Sequence, residues 1–338
     1  MPDSVKLDPT AILSILRAMG EETRLRILML LSDGELNVTD LTQVLGQSQP
    51  RISRHLKLLV ESGLIERVRE GSWAFYRLSD SQPAADILHR VIAGIDPSTP
   101  SVARDRDRQA EVRRQRAERA AAYFAEHAFD WNRIRALHVE ESAVEGALLD
   151  ILGDATFDVA IDLGTGTGRI LELLAPRIRA GFGLDTSHDM LAVARATIDR
   201  DGLTHCRLRH GDILNMPFDA ESADLVTIHQ VLHYLDDPAR AIQEAARLLR
   251  PGGKLVIVDF APHALEFLRD EHAHQRLGFD TDQIVRWLHG AGLVFERNRD
   301  LEPGAGSDAR LTVSIWLARD ARPARPAVAG GTAAEAVA

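Results

Sequence analysis

The sequence predicts a multidomain chain carrying two fold classes, an α+β unit over residues 1–96 and an α/β unit over 123–319, the latter a sheet with helices on both faces. Three observations carry this expectation. In Val159 to Ile170, VAIDLGTGTGRI, an apolar strand ends in Asp162 and runs straight into Gly164, Gly166 and Gly168. Near the N-terminus a short helical stretch closed by Gly46 leads into RISRHLKLLVESG and then into a stretch that alternates like paired strands. Between the two, from Asp96 to Arg116, composition changes abruptly to a Pro/Ser hinge and a charge-dense run.

Composition sets the outer bounds. At 338 residues the chain is long enough for two or three domains, each with its own core. No apolar run approaches the length needed to span a bilayer, and the N-terminus lacks a basic stretch followed by an apolar one, so a cytoplasmic protein with no membrane partner is expected. The single cysteine, Cys206, excludes an internal disulfide and a multi-thiolate metal site, and no metal is expected. A formal charge of −10 forbids an overall electrostatic grip on nucleic acid; any DNA contact must come from a local basic patch.

Such a patch lies in the first unit. Thr39 to Leu45 reads as a short helix, and Ser48 caps a second that carries Pro50 in its first turn. On the second helix Ile52, Leu56 and Leu59 share one face by i, i+4, i+7 spacing. Gln49, Arg51, Ser53, Arg54, His55 and Lys57 are left for solvent or DNA, a polar set with three positive charges and no acid. Leu64 to Leu78, LIERVREGSWAFYRL, then alternates like two strands about Glu70-Gly71, placing Arg67, Arg69 and Arg77 to reach phosphates. A basic helix followed by a basic-edged hairpin is a winged helix-turn-helix; the alternative is a small helical domain with solvated arginines.

The order from Leu13 to Ile95 resembles the ArsR-type bacterial repressors: two helices, the turn pair, the wing, a closing apolar helix. That resemblance implies a homodimer that reads a near-palindromic double-stranded DNA operator. Ile87, Leu88, Val91, Ile92 and Ile95 would then belong to the dimer seam, although a plain core helix shows the same stripe. Many such repressors sense metals through cysteines in the helix that here reads ELNVTDL, where Asn37 and Thr39 occupy the thiol positions; Asp86 with His89 makes no persuasive substitute.

Residues 97–122 are expected to be a charged linker, part helical, with almost nothing to bury. Its arginines, among them Arg104, Arg106, Arg108, Arg113, Arg114, Arg116 and Arg119, either touch the DNA backbone or are merely solvated. From Tyr123 to Leu152 aromatic and apolar residues recur at helical spacing, with Tyr123 and Trp131 either lining a pocket or packing onto the domain. Residues 320–338 lack the apolar content to fold and read as a disordered tail.

In the second unit the glycine spacing selects the ligand. A dinucleotide fingerprint needs its third glycine three residues after the second, a place held here by Arg169, which argues against NAD. The run resembles motif I of class I S-adenosylmethionine-dependent methyltransferases, which have a Rossmann-like fold, and the following segments resemble the rest of that pattern. Ala180 to Asp185 matches the strand ending in the ribose-binding acid, and His210-Gly211-Asp212-Ile213 the segment whose Asp caps the adenine amino group. Ala223 to Ile228, followed by His229 to Tyr234, matches the wall facing the sulfonium, and Leu248 to Phe260 the helix, Pro-Gly-Gly turn and fifth strand. The resemblance implies a site for S-adenosylmethionine or S-adenosylhomocysteine made by Asp162, Gly164, Gly166, Gly168, Asp185, Asp212 and His229.

Methyl transfer needs alignment, and a base where the nucleophile is protonated. His229, His233 and His263 are the candidate bases, each expected near the carboxyl edge of the sheet. Pro262 to Phe279, with His263, His272 and His274, reads as an acceptor pocket or lid, as a metal site formed by His272 and His274, or as a polar amphipathic surface helix. Cys206 standing alone argues against an arsenite methyltransferase, which holds its substrate with several thiolates. The domain more closely resembles the broad family that includes the ubiquinone and menaquinone methyltransferases, whose acceptors are too varied to carry over. The whole chain resembles fusions of an ArsR-type head to a methyltransferase domain, some of which control methionine-cycle genes and respond to S-adenosylhomocysteine. The expectation is therefore a transcriptional regulator, in the sense of a repressor, with a ligand-sensing second domain; the alternative is an active small-molecule methyltransferase with an accessory DNA-binding domain.

Overall fold

The computed structural model describes residues 8–70, 73–79, 84–127, 140–303 and 311–323. It falls into two compact units, Met1–Glu118 and Arg119–Ala338. Trp131, Gly71 and the tail beyond residue 323 lie outside the described residues.

The first unit opens with α1 (Pro9–Met19), whose first amides are capped by the Asp8 carboxylate. It continues through α2 (Glu22–Ser32), the two-residue strand β1 (Leu36–Asn37) and α3 (Val38–Leu45), which Gly46 ends in the left-handed conformation. Next come α4 (Gln49–Glu61) and a hairpin, β2 (Ile65–Glu70) with β3 (Trp73–Leu78), in antiparallel register from Ile65 opposite Leu78 to Glu70 opposite Trp73. The stripe Ile52, Leu56, Leu59 is fully buried with Ile27, Leu28, Leu41 and Val44, so spacing on α4 decides which side faces out. Closing helix α5 (Ala84–Ala93) buries Leu88 and half-buries Ile87, Val91 and Ile92.

The charged segment behaves differently from its sequence expectation. It is one helix, α6 (Pro100–His127), and its first half has a buried side made of Val102, Asp105, Gln109 and Val112. Arg26 forks onto the Asp105 carboxylate with both contacts at 2.6 Å. Arg108 donates to the Val44 carbonyl, Gln109 to that of Leu30 and Arg113 to that of Asp33, while Arg116 pairs with Asp40. The expectation of almost nothing to bury missed that arginines can bury their stems and cap helix ends. Arg108, Arg113 and Arg116 are therefore held on protein partners rather than presented to DNA.

The second unit is built on a seven-stranded sheet: β4 (Phe157–Leu163), β5 (Ile178–Asp185), β6 (Cys206–His210), β7 (Ala223–His229), β8 (Leu249–Phe260), β9 (Leu293–Leu301) and β10 (Val313–Asp320). Their order is β6-β5-β4-β7-β8-β10-β9, with β10 antiparallel to both neighbours and the remaining pairs parallel. The near-continuous apolar runs in β4, β7 and β8 fit strands covered on both faces. One face packs against α7 (Glu141–Leu152) and α8 (Arg169–Leu174) through Leu148, Ile151, Leu171 and Leu174. The other packs against α10 (Pro238–Leu248) and α12 (Thr281–Gly290) through Ile242, Leu248, Ile284 and Leu288. Chain order reverses at β4, with β5 on one side and β7 on the other, so the crevice at the carboxyl ends of β4 and β7 is where such a sheet takes a ligand.

Cys206 starts β6 and is buried, which pushes its thiol up to about 11. The raised value disfavours thiolate, so at pH 8 well under ~1% is reactive. Iodoacetamide should label the native chain at pH 8 about a hundredfold more slowly than the urea-unfolded chain; equal rates would contradict the burial.

Candidate functional site

The glycine loop between β4 and α8 sits at the switch point. Gly164, Gly166 and Gly168 all have positive φ, at 70°, 53° and 83°. Gly164 and Thr165 both donate their N–H to the Leu184 carbonyl, at 2.8 and 2.9 Å, which bends the loop over the end of β5. A Cβ on Gly164 would lie 2.4 Å from Cγ2 of Val231, so the loop also abuts the chain leaving β7.

Asp185 closes β5 beneath this loop. Its Oδ2 accepts the Gly166 N–H and its Oδ1 the Ser187 N–H, each at 2.8 Å. Burial raises its carboxyl above the usual range against the opposing pull of those amides and of His210. Each oxygen keeps a further lone pair, so two hydroxyls of a sugar could be received without breaking either bond. Ser187 then caps α9 (His188–Arg200) by accepting the Met190 N–H. Asp212 is exposed, with Oδ1 accepting the Leu214 N–H in a tight turn, and His210 stacks on His188 with centroids 4.0 Å apart. Asp162 stands apart from the loop surface: it is 1% exposed and takes the Thr227 hydroxyl at 2.6 Å across the β4–β7 pair.

The histidines separate into distinct environments. His229 is buried at the end of β7, and Gln230 after it is held at φ 53° with its N–H on the Val258 carbonyl. A non-glycine residue in that region costs energy and marks a chain bent to a purpose. In the turn Leu232–Tyr234, His233 is buried and its Nδ1 lies 2.7 Å from Oδ1 of Asp259 in β8. His263 is half-buried, with Nδ1 accepting the Leu265 N–H. The structure therefore brings His233 together with an acid that sequence reasoning did not single out. The signal was present: Asp259 is the one charge inside the apolar run Leu255 to Phe260.

Pro262 to Phe279 is no amphipathic surface helix. Only α11 (Phe267–Glu271) is helical, and Arg269, His274, Arg276, Leu277 and Phe279 are buried. His272 and His274 turn to different partners. The His272 Nδ1 meets the Tyr123 hydroxyl at 2.7 Å, whereas His274 stacks on Phe260 and lies 4.2 Å from the His233 ring. Among the described residues no group of three or more His, Cys, Asp or Glu could hold a metal. Tyr123 and Phe124, from the last turns of α6, pack with Met190 and Tyr234, so Tyr123 belongs to this aromatic cluster. Burial pushes the Tyr123 phenol up to about 12 and lowers His272, partly offset by Glu271, which favours the neutral form of both partners.

In the first unit, Gln49, Arg51, Ser53, Arg54 and Lys57 of α4 and Arg67 and Arg69 of β2 are exposed. A groove of ≈ 700 Å³ between helix and hairpin is lined by Gln49, Ser53, Lys57, Arg67 and Trp73, among others. Two expected DNA contacts are corrected. His55 turns inward, its Nδ1 3.5 Å from Glu21, and burial lowers its affinity for a proton. Arg77 is held by its cross-strand neighbour Glu66 at 2.6 Å and is largely covered, since opposite charges directly across a strand pair attract each other. Asn37, in place of a sensing thiol, caps α3 in a reciprocal pair with Asp40.

Comparison with known proteins places two similarities on these two units. Residues 21–67 match the model of the arsR family of bacterial regulatory proteins, and residues 161–257 that of a methyltransferase domain. The arsenical resistance operon repressor of Escherichia coli is 52% identical over 73 residues, 21% of this chain and 62% of that protein. Uncharacterised methyltransferases of Mycobacterium bovis and Bacillus subtilis are 39% and 29% identical over 110 and 103 residues. These matches cover 32% and 30% of this chain and 43% and 41% of theirs, so the chain spans less than two thirds of each of the three relatives.

Proposed function

From an ArsR-family helix-turn-helix domain and a C-terminal class I methyltransferase domain joined on one chain, we propose a DNA-binding regulator, acting as a repressor, whose affinity for its operator is set by S-adenosylmethionine or S-adenosylhomocysteine. The observation that carries this reading is the pairing of a solvent-facing basic helix with a glycine loop whose acid, Asp185, is pre-bonded and still able to accept. Gly164 to Gly168 would cradle the ligand, Asp185 its ribose and Asp212 its adenine, with His229 at the wall; the ligand supplies an electrophilic methyl group where methylated. A homodimer would set two α4 helices in successive major grooves. Among the described residues no helix is long and apolar enough to cross a membrane.

The test is a mobility-shift titration on DNA upstream of the chain's own gene, with the two ligands added separately. A coupling of about 1 to 3 kcal/mol, roughly 5- to 150-fold in affinity, is expected for one of them. Operator binding indifferent to both would end the sensor reading. Arg54→Ala should weaken operator binding about tenfold or more, the scale of one base or phosphate contact, and leave ligand affinity unchanged. Intact operator binding in that variant would mean that α4 is not the reading helix. A second reading, methyl transfer to a small acceptor, is favoured by one observation, the buried His233 and Asp259 pair.

A further inference from the structure

We propose that His233 and Asp259 form the base of a methyl-transfer site, and that its acceptor is a hydroxyl group carried on an aromatic ring. The proposal rests on the reading of the second unit as an S-adenosylmethionine site.

Asp259 is 0% exposed in an apolar strand, a placement that is costly unless the charge is fully engaged. Its Oδ1 receives the Phe260 N–H at 2.8 Å as well as the His233 Nδ1, and its Oδ2 receives the His233 N–H at 3.3 Å. A carboxylate beside Nδ1 fixes that nitrogen as the donor, so the tautomer leaves Nε2 with a bare lone pair. Among the described residues, Nε2 of His233 is buried with no hydrogen-bond partner. An acceptor buried without a donor is a standing cost, and an incoming O–H would relieve it.

The surroundings select the group that carries this O–H. The His233 ring lies 4.0 Å from Tyr234, 4.2 Å from His274 and 5.0 Å from Phe260, centroid to centroid. Such walls favour a flat aromatic body that stacks or meets their edges. His233 also follows Val231, whose methyl group stands over Gly164, so the turn that carries the base abuts the glycine loop. In the reaction, a lone pair of the acceptor oxygen forms the new C–O bond to the methyl carbon. The C–S bond breaks with its electrons staying on sulfur, and the O–H proton passes to Nε2 of His233. Asp259, a positioning residue, stabilises the imidazolium until that proton leaves to water.

The experiment uses the full chain with tritiated-methyl S-adenosylmethionine and three probes: phenol, catechol and benzylamine. Transfer to phenol or catechol is expected. His233→Gln and Asp259→Asn should each lower kcat by about 100-fold or more, the usual scale of a positioned base, with KM and calorimetric ligand affinity held within about threefold. Histidine nitrogen NMR of the unsubstituted chain should show His233 protonated at Nδ1 and bare at Nε2. Transfer to benzylamine alone, transfer to none of the probes by a chain that binds S-adenosylmethionine, unchanged kcat in His233→Gln, or a proton on Nε2 would each overturn the proposal. Failure to bind S-adenosylmethionine at all would remove the underlying reading and the proposal together.

Discussion

Gly164→Ala is expected to lower S-adenosylmethionine affinity by at least about 100-fold, the larger part of which follows from two separable terms. The backbone at this position has φ 70°, a conformation that costs a residue with a side chain about 1–2 kcal/mol, roughly tenfold. The second term is steric. The new methyl group would lie 2.4 and 3.0 Å from the two Cγ atoms of Val231, so either the loop lifts off β5 or Val231 is pushed back. Lifting the loop breaks the paired N–H bonds to the Leu184 carbonyl and carries Gly166 away from Asp185; pushing Val231 displaces the turn that holds His233. Calorimetry on Gly164→Ala and on Gly164→Ala with Val231→Ala separates the terms, since trimming the valine removes the clash and leaves the backbone cost. Recovery to within about tenfold of the unsubstituted chain is expected for the pair. Single-variant affinity within threefold would mean that the loop is not the ligand cradle.

Both units were legible in the sequence because each announces itself through local pattern. The α4 stripe Ile52, Leu56, Leu59 and the strand-to-glycine run at Asp162 are decided by spacing within a dozen residues, and both lie where that spacing puts them. What escaped is non-local. His55 belongs to the polar side of α4 by angle, yet it is drawn inward by Glu21, more than thirty residues earlier. Arg77 looks like a free wing arginine until its cross-strand neighbour Glu66 is known. Asp259 in its apolar strand reads as an oddity, and its meaning depends on a histidine from another strand's exit. Of the three readings of Pro262 to Phe279, the longer surface helix gives way to the five-residue α11 because Ala273, at φ 56°, and the chain after it turn His274 and Arg276 into the interior, a tertiary choice that periodicity does not carry.

The least legible feature has the largest consequence for stability. Asp105→Ala is expected to destabilise the first unit by about 3 kcal/mol, because removing one partner of a covered ion pair strands the other. Asp105 is buried and the Arg26 side chain is 20% exposed, so some of the stranded guanidinium's cost is returned by water. Met29, Leu30 and Val102 line the site around the pair, together with Arg106. Replacing both charges with matched apolar groups, Arg26→Met with Asp105→Leu, should therefore recover most of the loss. Urea unfolding read at the first unit distinguishes the cases: a change below about 0.5 kcal/mol for Asp105→Ala would show an ion pair of the weak surface kind. The effect reaches the DNA-binding helices through α6 itself. Its further contacts to the Val44 carbonyl, the Asp33 carbonyl and Asp40 lie at the two ends of α3 and the end of α2, the scaffold against which α4 packs. A helix freed at Asp105 should loosen those contacts in turn, so operator affinity should fall in Asp105→Ala and return in the apolar pair; operator affinity untouched in a measurably destabilised variant would separate α6 from the orientation of α4.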